Sequence, residues 1–237
     1  MLRSGYFQRL TRGVGQQEMS ISTIVFDAYG TLIDTADGSV RATQTILRKH
    51  GCELNPTEVY ARWKTYHQHI ISTLSAFTSE DAIFVAGLSR LYQDYHIAGN
   101  PHEDVHIMLA TLGIRKVFAD TIPCLNCLRG RFELVIASNT DTRPFLADMQ
   151  RNKVVVDKWF TSESLQAYKP HRAFYDRMVE ELGKEPHEVV FIGDSLDADV
   201  MGPMDYGMKS IWLNSPFAQS ISTILHFKLS IQRRCQA

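Results

Sequence analysis

The hydrophobic and polar positions of the chain follow two different periods. Short apolar runs, typical of buried strands, lie at residues 24–26, 132–137, 159–161, 189–192 and 210–213. Helical patterns follow from Pro144, from Pro170 to Gly183, and again as far as Gly207. This alternation of strands and helices predicts a parallel sheet with helices on both faces.

The stretch between residues 35 and 118 carries apolar positions at helical spacing, and no strand-like run interrupts it. Asn55-Pro56 and Asn100-Pro101 each place a capping side chain before a proline, which is a strong helix start. Ser79 begins a further helix, and Gly51 ends the first one. We therefore predict a helical cap over residues 35–118, inserted into an α/β core formed by residues 19–34 and 119–218.

The two ends of the chain carry no clear pattern. Residues 1–18 lack periodicity, and we interpret them as a disordered extension. Residues 219–237 mix apolar and basic positions, and the sequence assigns them no role.

Composition narrows the class of protein. The 237 residues are 44% hydrophobic with a formal net charge of −1, which is ordinary for a globular protein and gives no case for nucleic acid or a membrane surface as partner. Four sparse cysteines and no secretory signal favour a cytoplasmic setting. We expect a monomer or a homodimer, and the sequence does not decide between them. We interpret Cys124 and Cys127 as part of an apolar helix face, and the histidines of the helical stretch as surface or boundary residues.

Polar residues stand at four predicted strand ends, where open α/β sheets bind ligands. They are Asp27 with Thr31 in the following turn, Ser138 with Asn139, Lys169, and Asp194. An ionised Asp27 suits a nucleophile, and Lys169 would offset its charge. Asp27 and Asp194 offer two hard oxygen ligands, which predicts a Mg²⁺ site.

These four stretches resemble, in order and setting, the four motifs of the haloacid dehalogenase-like hydrolase superfamily, and the inserted helices resemble the cap of its dehalogenase-like branch. The resemblance covers residues 22–214 and implies a doubly wound, Rossmann-like sheet with an all-helical cap. It implies a covalent intermediate on Asp27, with Thr31, Ser138 and Lys169 in catalysis. Tyr29 and Asn139 would contact the substrate, and the Ala28 carbonyl would join Asp27 and Asp194 on Mg²⁺. Asp199 would assist the metal or hold Lys169.

The residues at two motif positions favour different classes of substrate. Tyr29 stands where phosphatases of the superfamily carry an acid, and this favours a 2-haloacid dehalogenase, because a departing halide needs no proton. Asp194 stands where metal-independent dehalogenases carry a neutral residue, and it needs a cation. Arg62 and Lys64 are candidates to bind the substrate anion, and we choose Lys64.

We therefore predict a Mg²⁺-dependent phosphohydrolase acting on a small anionic molecule. The alternatives are a 2-haloacid dehalogenase and a catalytically weak binding or regulatory protein.

Overall fold

The computed structural model describes residues 21–213, so the predicted N-terminal extension and C-terminal tail lie outside the described residues. Its elements in chain order are β1 (Thr23–Phe26), β2 (Ile33–Asp34), α1 (Gly38–Lys49), α2 (Pro56–Thr73), α3 (Glu80–Asp94), α4 (Pro101–Leu109), β3 (Lys116–Val117), α5 (Thr121–Leu128), β4 (Glu133–Ser138), α6 (Thr142–Arg151), β5 (Lys158–Thr161), α7 (Ser162–Leu165), α8 (Arg172–Leu182), β6 (Val189–Gly193), α9 (Gly202–Tyr206) and β7 (Lys209–Trp212).

The main sheet has five strands in the order β5-β4-β1-β6-β7, and all neighbours run parallel. Alternate residues of β1 face opposite layers. Ile24 and Phe26 pack with α5 and α6, whereas Val25 packs with α7 and α8. Helices therefore cover both faces, and the predicted doubly wound α/β fold is confirmed. Cys124 lies in the first of these cores, as the helix-face interpretation predicted, whereas Cys127 is exposed and does not belong to that apolar face.

Four helices, α1 to α4, lie between β2 and β3 and share a core of their own around Trp63. The predicted helix starts are confirmed, since Asn55 Oδ1 accepts the Thr57 N–H at 3.0 Å and Asn100 Oδ1 accepts the His102 N–H at 3.0 Å. No helix within residues 21–213 combines the length and apolar composition that a membrane crossing requires.

The prediction that residues 35–118 contain helices alone is wrong at its end. The last of the four helices ends at Leu109, and β3 pairs antiparallel with β2, with Ile33 opposite Val117 and Asp34 opposite Lys116. Two-residue strands leave no periodic pattern, and their partners are distant in sequence. A short two-stranded ribbon thus joins the helices to the sheet. The division into core and cap at residues 34 and 119 stays a prediction.

The turn after β1 brings Gly30 against Asp194. Gly30 has φ +95°, and a Cβ built there would lie 2.5 Å from Asp194 Oδ2. Only glycine adopts this backbone without strain, and only a residue without a side chain leaves room for the carboxylate. The turn and the end of β6 are therefore packed directly on each other.

We expect Gly30→Ala to destabilise the protein more than Gly183→Ala. Gly183 also has a positive φ, +63°, but an added Cβ there meets no atom within 4 Å. The Gly183 variant should lose about 1 kcal/mol through backbone strain alone, and the Gly30 variant should lose more because Asp194 must move. Urea unfolding of both variants measures the difference. Equal losses would contradict the close contact.

Candidate active site

Three carboxylates converge at the C-terminal edge of the sheet. Asp27 follows β1, Asp194 follows β6, and Asp199 lies in a π-helical turn, Leu196–Met201. One oxygen from each lies within 4.8 Å of the others. An all-oxygen set of this kind is suited to a hard divalent cation such as Mg²⁺ and offers no nitrogen or sulfur to favour zinc. The donor chemistry therefore fits the predicted metal.

Lys169 is buried beside this cluster. Its Nζ donates to Asp27 Oδ1 at 2.9 Å, to Asp199 Oδ1 at 2.6 Å and to the Ala137 carbonyl at 2.8 Å. Burial by itself would lower the pKa of Lys169, but the Asp199 and Asp27 carboxylates outweigh it and raise the pKa. An ammonium group has three protons, and all three are used. Lys169 therefore holds Asp27 and offsets its charge, as the sequence predicts, and in this arrangement it has no proton left to donate to a substrate.

The carboxylates retain unbalanced negative charge. Burial, and then the charge of Asp27, raise the pKa of Asp194, while Lys64 acts in the opposite direction. Burial also raises the pKa of Asp199 to about 6, although Lys169 opposes this shift. Asp199 is engaged on both oxygens, because Oδ2 accepts the Ser195 N–H at 3.0 Å. Asp27 and Asp194 are thus the carboxylates with capacity for a metal.

The residues that follow β4 position the nucleophile and the lysine. The Ser138 hydroxyl donates to Asp27 Oδ1 at 3.0 Å. The Asn139 side-chain amide forms two reciprocal bonds with the Lys169 backbone, both at 2.8 Å. Asn139 thus fastens the loop that carries Lys169, and its contact with the substrate stays a prediction.

Tyr29 does not present its hydroxyl to the cavity. The hydroxyl donates to Asp148 Oδ2 at 3.0 Å, and the Arg115 guanidinium lies 5.0 Å from the ring centroid. Burial raises the pKa of Tyr29, and the charge of Asp148 adds to this effect. Arg115 also donates its backbone N–H to Asp148 Oδ1 at 2.7 Å. Through Asp148, Tyr29 therefore connects the turn after β1 to the segment at Arg115 that leads from the inserted helices back to the sheet. Only the rest of the Tyr29 side chain is left to contact a substrate.

Ala28, whose carbonyl was predicted to bind Mg²⁺, lies in the turn after β1, and this ligand role stays a prediction. Its carbonyl accepts the N–H groups of Leu32 and Ile33, each at 2.8 Å, and so both of its lone pairs are engaged in the turn. Thr31 lies in the same turn and is 3% exposed. Its hydroxyl has no hydrogen-bond partner among the described residues.

A cavity of about 1180 Å³ opens over Asp27, between the sheet edge and α2. Lys64 lines it, as predicted, whereas Arg62 lies over the Tyr66 ring at 5.8 Å. His67 also lines this cavity, so its interpretation as a surface or boundary residue missed a site position. A sequence signal existed, because His67 follows the buried Trp63 by four residues and shares its helix face.

Glu80, at the start of α3, was also missed. Its N–H donates to Asp141 Oδ1 at 3.1 Å, and the Asp141 N–H donates to Glu80 Oε2 at 3.3 Å. Burial raises the pKa of Glu80 to about 7, with the charge of Asp141 adding to it. Burial lowers the pKa of His67 to about 4, with Lys64 adding to it. A carboxyl group and an imidazole thus meet beside the cavity with unusual proton affinities.

The fold and the site together define an α/β enzyme in which a strand-end aspartate faces a cavity beneath inserted helices. The family model of the haloacid dehalogenase-like hydrolases matches residues 21–203, well over half of the chain, and the chain belongs to this family of hydrolases.

The curated relatives and solved structures that resemble this chain carry the names of different activities. The (S)-2-haloacid dehalogenase 4A of Burkholderia cepacia is 24% identical over 208 residues, which cover 82% of this chain and 84% of the relative. The pyrophosphatase PpaX of Bacillus pumilus is 24% identical over 193 residues, or 81% and 83%. The structure of the HAD-hydrolase YfnB of Bacillus subtilis bound to magnesium aligns with a TM-score of 0.76 at 18% identity, over 88% of this chain and 98% of that one.

We expect Glu80→Gln to become stabilising, relative to wild type, as the pH rises. The pKa of Glu80 is about 7 in the folded state and 4.5 in the reference state, so folding favours its protonated form. Wild-type stability from this group is present below pH 4.5 and is lost as the pH rises through 7, and glutamine avoids the loss, which amounts to ~3 kcal/mol.

Urea unfolding from pH 4 to pH 8 measures this difference. Glu181→Gln, at an exposed position of α8, is the control and should show no such trend. A pH-independent difference between Glu80→Gln and wild type would contradict the buried, protonated state of Glu80.

Proposed function

We propose that the protein is a Mg²⁺-dependent phosphohydrolase that acts on a small anionic molecule through a covalent intermediate on Asp27. The observation that carries the proposal is the cluster of three carboxylates with Lys169 as its buried cation. One lysine offsets one carboxylate, and the two remaining negative charges match one divalent cation. The magnesium-bound neighbour and the pyrophosphatase relative support this assignment.

Asp27 is held for attack before substrate arrives. Ser138 and Lys169 both donate to Oδ1, and these two hydrogen bonds restrict rotation of the carboxylate about the Cβ–Cγ bond. In the proposed reaction a carboxylate oxygen bonds to phosphorus while the bond from phosphorus to the leaving oxygen breaks. Water then hydrolyses the aspartyl phosphate and restores Asp27. A Mg²⁺ held by Asp27 and Asp194 would supply positive charge for the phosphoryl oxygens.

The inserted helices would act as a cap that excludes water and contacts the substrate. The loop that carries Lys169 contacts the inserted segment at two points. The Tyr168 hydroxyl donates to the Thr78 carbonyl at 2.9 Å, and His171 Nε2 lies 2.7 Å from the Ile71 carbonyl. Lys64 on α2 would bind the anionic group of the substrate. A cytoplasmic setting, which the sparse cysteines suggest, would suit such an enzyme.

A 2-haloacid dehalogenase is the second candidate, and the geometry of Tyr29 favours it. Because the Tyr29 hydroxyl is bonded to Asp148, the first motif supplies no acid for an alkoxide leaving group. A halide leaves as a stable anion and needs none. The dehalogenase relative from Burkholderia cepacia supports this alternative.

We expect Mg²⁺ to raise the melting temperature of the wild-type protein, because it binds the folded state alone. The stabilisation should reach about 2.7 kcal/mol at a hundredfold excess over the dissociation constant. Asp194→Asn should abolish most of it. Asp197→Asn is the matched control, since Asp197 lines the same cavity but lies outside the carboxylate cluster. Equal responses of the two variants would contradict the site.

Turnover on both substrate classes should separate the candidate functions. We expect phosphate release that stops with a chelator and returns with Mg²⁺, and that is lost in Asp27→Asn because the amide is not a nucleophile. Release of halide from a 2-haloacid, unaffected by the chelator, would overturn the phosphohydrolase in favour of the dehalogenase. No turnover on either class would favour the binding or regulatory alternative.

A further inference from the structure

His67 presents an unpartnered ring nitrogen beside the cavity. Its Nε2 is buried and makes no hydrogen bond among the described residues, and the ring packs against Phe84 with centroids 5.0 Å apart. The ring also lines the cavity over Asp27. Because Nε2 lies on the buried side, Nδ1 is the nitrogen left for the cavity. A histidine placed in this way can pass a proton between its two nitrogens.

Glu80 lies beside His67, and its two carboxyl oxygens have different neighbours. Oε2 accepts the Asp141 N–H at 3.3 Å, while Oε1 lies 3.8 Å from His67 Nε2. That distance is slightly longer than a hydrogen bond, as is common in enzymes without a bound substrate. The two side chains come from α2 and α3, and both belong to the inserted helices.

The groups that face Glu80 explain why its pKa is raised. Asp141, in the loop after β4, repels the charged form of Glu80, whereas hydrogen bonds from Thr140 and from the Asp141 backbone favour that form. Arg115 favours the charged form from the segment before β3, but burial outweighs it. The Tyr29 and Tyr168 side chains are close enough for their own pKa values to be raised by Glu80. His67 is neutral beside it, with its pKa lowered by burial and by Lys64.

We propose that Glu80 and His67 form the proton-donating pair for the leaving group, in place of the acid that Tyr29 does not supply. The inference rests on the phosphohydrolase proposed above. It also narrows the substrate class, because a dedicated donor is needed for an alkoxide or phenoxide leaving group and not for a halide. The substrate would therefore be a phosphate monoester.

The proton balance closes over the two steps. As Asp27 bonds to phosphorus and the phosphorus–oxygen bond breaks, the leaving oxygen takes the proton of His67 Nδ1, and Nε2 takes the proton of the Glu80 carboxyl group. Glu80 is then a carboxylate. In the second step water attacks the aspartyl phosphate, and the proton it releases returns through His67 to Glu80. The pair ends each cycle as it began, with no further reactant.

The test uses two substrates of the same shape, phenyl phosphate and 4-nitrophenyl phosphate, with the full chain and Mg²⁺ present. Nitrophenolate leaves without a proton, and phenolate leaves poorly without one. In His67→Asn, kcat/KM should fall about a hundredfold on phenyl phosphate and less than about threefold on 4-nitrophenyl phosphate. Asparagine keeps an N–H donor but cannot transfer its proton. Glu80→Gln should behave in the same way.

The pH profile supplies a second readout that a structural role would not move. Wild-type kcat on phenyl phosphate should decrease above about pH 7 as Glu80 loses its proton, and this limb should be absent in Glu80→Gln. His69→Asn is the control, because His69 lines the same cavity and has no carboxylate partner among the described residues. It should leave the ratio between the two substrates unchanged.

The outcomes separate this inference from the function on which it rests. Equal losses on both substrates, or no loss on either, would overturn the proton-donating pair while the phosphohydrolase stands. No release of phosphate by the wild-type protein from either substrate would overturn both. Selective loss on phenyl phosphate, together with the altered pH profile, would establish the pair.

Discussion

The structure depends on one electrostatic constraint, the burial of Asp27, Asp199 and Lys169 at the end of the central strand, with the exposed Asp194 beside them. Burying a charge is costly unless it is paired and hydrogen-bonded. Lys169 meets this condition for Asp27 and Asp199 by donating every proton it has, two to the carboxylates and one to the Ala137 carbonyl. The remaining negative charge would favour the divalent cation of the proposed function, and that cation would reduce the repulsion of an anionic substrate.

The fold maintains this cluster with backbone and side chains outside it. Parallel strands bring their carboxyl ends to one edge, so residues far apart in sequence meet there. Asn139 fastens the Lys169 loop through two hydrogen bonds, and Gly30 leaves room for Asp194. Tyr29 ties the turn after β1 to Asp148. Several residues of the motifs thus hold other parts of the site in position.

Under the proposed mechanism, the inserted helices would contribute chemistry as well as one wall of the cavity. The start of α3 and the start of α6 exchange hydrogen bonds through Glu80 and Asp141, although neither Ser79 nor Asp141 caps its own helix. This exchange places the Glu80 carboxyl group, whose pKa burial raises to about 7, beside His67, which lines the same cavity as Asp27.

The sequence by itself determined the elements whose signals are local. The strand ends at Asp27 and Asp194, and the helix starts at Asn55 and Asn100, follow from patterns within a few residues. The tertiary structure alone decided what depends on distant partners: the pairing of β2 with β3, the use of the Ala28 carbonyl in its own turn, the full use of the Lys169 protons, and the meeting of His67 with Glu80. Hydrogen bonds and charges act over a few ångströms in space, and sequence spacing does not report that distance once the chain has folded.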